Sequence, residues 1–195
     1  MPDCLIRRAT PRDATDIAAI VDMAGEGLPA YIWGQVVAIG QSPYEIGRTR
    51  AMRAEGAFSY CNAHIAEVDK AVAGAVICYA LGDPVDLGNL HKMHEIGRPL
   101  ALLEAEAPGH CYVTALAVYP EFRRHGVGAS LLKHADAIGR ATAPNGMTII
   151  VASQNLGARR LYEQAGYRAK ASRPLVGFPG FKRGGEWVLM TKPHS

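Results

Sequence analysis

Long apolar runs, paired cysteines and repeats are missing from this 195-residue sequence, and each absence removes a class of protein. The longest apolar stretches, such as Ala71–Leu81, fall well short of the roughly 20 residues that a membrane-crossing helix needs. The beginning, MPDCLIRRATPRD, is charged where a signal peptide would be apolar, so the expectation is a cytoplasmic protein with no membrane partner. Four cysteines (Cys4, Cys61, Cys78 and Cys111) are far apart and form no CxxC pair, which reads as reduced core thiols rather than zinc ligands. Neither GxGxxG nor GxxxxGK[ST] occurs, and no internal repeat or low-complexity tract is present.

What is there suits one folded domain over 1–195, because 49% hydrophobic content can bury an ordinary core. Charge is unevenly placed. Residues 1–110 carry 9 Lys/Arg against 14 Asp/Glu, and residues 111–195 carry 12 against 4. A basic second half suits a polyanionic ligand, and an acidic first half can attract a cation. A nucleic acid is not the expected partner, since the basic residues are scattered over a turn, a helix and a loop.

Local signals give an order of elements. LIRRA (Leu5 to Ala9) reads as a strand, followed by a helix with Thr10 as N-cap, Pro11 in its first turn and Ile17, Ile20, Val21 and Ala24 on its buried face. Residues 25–56 read as a helical elaboration, with helices expected over AYIWGQVVAI and YEIGRTRAMRAEG. Ser59 to Val68 and Ala71 to Leu81 form a hairpin about Asp69-Lys70. Residues 83–108 are expected to be helical except near Gly97 and Pro99. The second half alternates: strand Cys111–Val118, helix from Gly126 to Arg140, strand Met147–Ala152, helix from Asn155 to Ala165, then strands near Tyr167 and from Trp187 to Thr191. That order predicts an α/β fold with a mixed central sheet and helices on both faces.

The most informative segment is LAVYPEFRRHGVGA, where a strand ends at a proline-marked turn and a helix begins on Arg123, Arg124, His125, Gly126, Val127, Gly128 and Ala129. The first amides of a helix lack partners and carry partial positive charge, and glycines let a pyrophosphate approach them. Leu131, Leu132, Ala135 and Ile138 would hold that helix on the sheet.

This RxxGxG turn resembles the coenzyme-pyrophosphate loop of the GNAT superfamily of acyl-CoA-dependent N-acyltransferases. A second match begins 27 residues beyond Gly128, where Asn155 to Arg168 (NLGARRLYEQAGYR) follows the pattern NxxAxxLYxxxGF with Tyr167 in place of Phe. The resemblance is specific over about residues 112–168 and weak over 25–56 and 83–108. It implies a GNAT-type sheet, acetyl-CoA as co-substrate, no metal, and an amine acceptor that the acidic first half would favour as a cation; a homodimer is left open.

The same resemblance implies that Tyr162 protonates the leaving thiolate, that Asn155 hydrogen-bonds the pantetheine arm, and that backbone groups at Leu116, Ala117 and Val118 pair with pantetheine and the thioester oxygen. Asn155 and Tyr162 share one helix face with residues 158 and 159. Some relatives carry a catalytic glutamate where this chain has Tyr112, so the base is unassigned: His64, Glu67, Glu104, Glu106 and His110 are candidates, as is a water relay past Tyr112 and Thr114. His91, His94 and Glu95 would approximate a metal pair if helical, with a solvated helix face as the default. Glu26, Tyr31, Trp33, Phe178 and Phe181 are expected to frame the acceptor. The alternative from another class is a coenzyme-A-binding regulatory module without turnover.

Overall fold

The computed structural model describes residues 4–181 and 184–194. Seven strands form a mixed sheet in the order β1-β2-β3-β4-β5-β7-β6, flanked by helices. The chain forms two compact units: Met1–Cys78 with Thr114–His134 and Pro179–Phe181, and Tyr79–Val113 with Ala135–Phe178 and Lys182–Ser195.

In the first unit, β1 (Cys4–Arg8) pairs antiparallel with β2 (Ala63–Val68), which pairs antiparallel with β3 (Ala71–Ala80). The β2–β3 turn places both Asp69 (φ 49°) and Lys70 (φ 66°) in the left-handed region, as a two-residue hairpin of this twist requires. The strand expected from Ser59 starts later, because Tyr60–Asn62 forms a 3-10 turn opened by Ser59, whose hydroxyl accepts from the Cys61 amide. Thr10 caps the next segment: its amide and hydroxyl both donate to Asp13, which Arg7 also grips at 2.8 Å. The first turn is 3-10 (Pro11–Asp13), and α1 (Ala14–Ala24) follows, burying Ile17, Ile20 and Val21.

Two short helices, α2 (Leu28–Gly34) and α3 (Pro43–Ala51), complete the elaboration, and α3 packs on both α1 and α2. The helix expected over AYIWGQVVAI stops at Gly34. Gly34 and the β-branched pair Val36-Val37 are poor helix formers, and Val36 and Ile39 are exposed, so burial does not compensate. Pro43 starts α3 instead of ending a helix, with Ser42 as its cap.

In the second unit, only α4 (Arg98–Glu104) is helical within 83–108. Upstream, Asn89 and His94 side chains capture the amides of His91, Lys92 and Ile96, a local alternative to helix. Pro99 sits in the first turn of α4, where proline is tolerated, so it marks the start of the helix. β4 (Cys111–Val118) pairs parallel with β5 (Met147–Ala152) from Cys111 to Val113, and β7 (Glu186–Lys192) pairs antiparallel with both β5 and β6 (Arg168–Pro174). α5 (Val127–Thr142) and α6 (Leu156–Gln164) precede β5 and β6, as expected from the alternating second half. Of the cysteines, Cys78 and Cys111 are buried, whereas Cys61 is exposed because it lies in the 3-10 turn.

Candidate functional site

Burial alternates along the latter half of β4: Ala115 and Ala117 are buried, while Thr114, Leu116 and Val118 are half-buried. The strand hands over to a turn in which the Tyr119 amide donates to Ala73 and residues Pro120–Phe122 form a 3-10 turn. Arg123, the first residue of the RxxGxG match, is engaged in closing that turn. Its Nε donates to the Val118 carbonyl at 2.9 Å, and one Nη donates to the Met23 sulfur. Arg124 and His125 are exposed.

The backbone of the turn is left-handed twice, at Arg124 (φ 68°) and at Gly126 (φ 81°). The Ser130 amide donates to Gly126, so Gly126 occupies the N-cap of α5 and the amides of Val127, Gly128 and Ala129 have no acceptor within the helix. A Cβ built on Gly126 would meet no atom within 4 Å, so the glycine is demanded by its φ rather than by crowding. Buried Val127, Leu131 and Leu132 anchor this helix end. Open, amide-lined and flanked by arginine, the cradle has the chemistry a pyrophosphate needs. The left-handed Arg124 has no signature in the sequence, since arginine is not a residue that favours that region.

In the second unit, Asn155 is the N-cap of α6, its Oδ1 accepting from the Ala158 amide at 3.1 Å. The face carrying residues 158, 159 and 162 is the less exposed one, and Tyr162 is its only buried member. Tyr162 lies 6.1 Å from the Tyr167 ring, between centroids, and burial pushes its phenol pKa well above the usual value. The position where Tyr167 replaces the pattern's phenylalanine is thus a packing neighbour of Tyr162.

The candidate bases separate clearly. Glu67 is bound to Arg7 at 2.8 Å and Glu106 to Arg173 at 2.7 Å, so both carboxylates serve ion pairs. His64 on β2 meets His134 on α5 at 2.9 Å, and burial, the second histidine and Arg8 lower its pKa to about 4. His110 lies 3.0 Å from the Pro108 carbonyl through Nδ1. Glu104 differs from all of these. Burial raises its carboxyl to about 7.

Trp33, expected at the acceptor, is a core residue instead: it is buried, stands edge-on to Tyr44, and fills the space that Gly47 leaves open. Phe178 is buried and Phe181 half-buried. His91 and His94 do not share a helix face, because that segment is irregular, and His94 Nδ1 accepts from the Ile96 amide. Among the described residues, no group of three or more His, Cys, Asp or Glu could hold a metal ion.

A mixed sheet flanked by helices, in which a strand runs through a left-handed turn into a helix N-terminus, defines an α/β protein. The profile of the acetyltransferase (GNAT) family matches residues 33–167, more than half of the chain, and the chain belongs to that family. It is similar to N-alpha-acetyltransferase 40 of Saccharomyces cerevisiae, 26% identical over 164 residues that cover 78% of this chain and 52% of the yeast protein. The chain therefore spans about half the length of that relative. Among solved structures, an N-acetyltransferase from Staphylococcus aureus Mu50 superposes with a TM-score of 0.67 at 17% identity, covering 96% of this chain and 99% of that one. A Salmonella typhimurium protein solved with its cofactor acetyl-CoA gives 0.59 at 19% identity, over 99% and 95%. These two likenesses show the fold.

Proposed function

We propose that the protein is an acetyl-CoA-dependent N-acetyltransferase that passes the acetyl group to a primary amine of a small molecule or peptide. The observation that carries this reading is the α5 cradle, with Gly126 at φ 81°, open space where a side chain at 126 would stand, and the amides of Val127, Gly128 and Ala129 in the first turn. The yeast relative's name, an N-alpha-acetyltransferase, supports an amine as acceptor, and the Salmonella structure supports acetyl-CoA as donor.

In this reading the amides of Val127–Ala129 hold the pyrophosphate, with the exposed Arg124 and His125 at its edge and Arg123 keeping the turn closed. Backbone groups of Leu116, Ala117 and Val118 align the acyl arm, and Asn155 hydrogen-bonds it. When bound, acetyl-CoA supplies an activated thioester. Tyr162 holds a proton for the departing sulfur: burial keeps its phenol protonated throughout the physiological range, the state a general acid requires. The acidic first half of the chain favours a cationic acceptor.

Calorimetric titration of coenzyme A into the wild type and a Gly126→Val variant tests the donor site. A β-branched side chain does not tolerate this φ, so the turn must re-form and affinity should drop at least about tenfold in a chain that still folds. Unchanged affinity in a folded variant contradicts the assignment.

A further inference from the structure

Arg124 stands at φ 68°, a conformation that costs energy for any residue with a Cβ and persists only where the surroundings fix the chain on both sides. On the C-terminal side the fixing is apolar burial, since Val127, Leu131 and Leu132 hold the first turns of α5 in the core. On the N-terminal side none of residues 118–126 is fully buried, so burial alone does not set the turn there.

Helix α1 fixes that side. The Tyr119 hydroxyl donates to Asp16 Oδ1 at 2.8 Å, and an Arg123 Nη donates to Met23 Sδ at 3.3 Å while its Nε holds the Val118 carbonyl at 2.9 Å. Asp16 and Met23 lie two turns apart on α1 and therefore on the same face, so one helix face ties the turn at two points, the second immediately before the left-handed residue. The Tyr119 amide adds a third tie, to the Ala73 carbonyl at 2.9 Å. The Tyr119 ring packs on the core of the first unit, but a half-buried tyrosine can leave its hydroxyl in water, so packing accounts for the ring and not for its bond to Asp16. Likewise, an acid in the first turn of α1 suits the helix dipole without needing Tyr119.

We propose that Asp16 and Tyr119 are positioning residues of the coenzyme site, an assignment that rests on the donor site of the proposed function. Their hydrogen bond holds the exit of β4 against α1 and so keeps the turn in the conformation in which the amides of Val127–Ala129 receive a pyrophosphate. Neither side chain touches the coenzyme; both act through Arg123 and the left-handed Arg124. Without the bond the turn samples other conformations, and the apparent affinity for the coenzyme falls in proportion to the fraction of molecules that still hold the competent one.

Calorimetric titration of coenzyme A into the wild type, Tyr119→Phe, Asp16→Ala, Asp16→Asn and the double variant Tyr119→Phe/Asp16→Ala tests this, with melting temperatures of the same proteins taken without ligand. Tyr119→Phe keeps the ring in place, and Asp16→Asn keeps an oxygen that can accept from the phenol. The Kd should rise roughly threefold to thirtyfold in Tyr119→Phe and in Asp16→Ala, and stay within about twofold of wild type in Asp16→Asn. The double variant should bind no more weakly than the weaker single variant, because both substitutions remove the same bond. A bond that serves stability alone would lower the melting temperature and leave the Kd of every folded variant unchanged, and that result overturns the proposal, as does a double variant whose loss is the product of the two single losses. Should Tyr119→Phe not fold, the two Asp16 variants carry the test, and equal Kd values in them overturn the assignment. A wild-type protein that binds no coenzyme A overturns the donor site itself, and the positioning role with it.

Discussion

Tyr162 and Tyr112 are both buried phenols set against other tyrosines. Tyr162 packs near Tyr167, and burial raises its pKa, so the phenol holds its proton; in the proposed function that proton goes to the departing sulfur. Tyr112 stands edge-on to Tyr79. Tyr162→Phe keeps the ring and its packing, so the fold and the KM for acetyl-CoA should persist while kcat falls on the order of 10² to 10⁴. Steady-state kinetics with any accepted amine checks it, and an undiminished kcat would remove Tyr162 as the acid. Individual residues were legible in the sequence where spacing along one element sufficed: Asn155 and Tyr162 read as helix-face partners, and Asn155 is the cap that opens that helix. Pairings between distant segments were not. His64 with His134, Glu67 with Arg7 and Arg123 with Met23 depend on tertiary placement, so five base candidates stood level until burial and partners separated them.

At the scale of elements, Trp33 and Gly47 define how the elaboration closes. A Cβ on Gly47 would stand 2.5 Å from the Trp33 ring, which is buried and has nowhere to retreat. Alanine at 47 gains about 1 kcal/mol of helix propensity, yet overpacking of this kind costs roughly 1–3 kcal/mol. Gly47→Ala should therefore be neutral to destabilising in urea unfolding, against the usual gain for an exposed helix, and a clear rise in stability would contradict this packing. The bounds of β4 and β5 follow directly from alternating and β-branched runs between turn signals, and the Asp69-Lys70 hairpin from its short polar loop. The stretch 83–108 was misread because its apolar count resembles a helix, whereas Asn89 and His94 divert the backbone amides and only the seven residues of α4 remain helical. Pro99 reads as a break and is a helix start, a distinction that depends on the residues just before it.

For the whole molecule, charge and donor chemistry point the same way. The basic second half contributes Arg123 and Arg124 beside the cradle, and the acidic first half bears the opposite sign, an arrangement that suits a polyanionic donor and a cationic acceptor. No helix among the described residues is long and apolar enough to cross a membrane. Membership of the family fixes neither the acceptor nor the turnover, because the same fold can serve many amines. The measurement that bears most directly on the central claim is free-thiol release from acetyl-CoA by the wild-type protein, with and without a panel of primary amines spanning peptide N-termini, lysine side chains, polyamines, amino acids and aminoglycosides. Mass spectrometry of the amine accompanies it. The account predicts thiol release that requires one class of amine and matches its acetylation mole for mole; binding of acetyl-CoA with no amine-dependent release across the panel would contradict it.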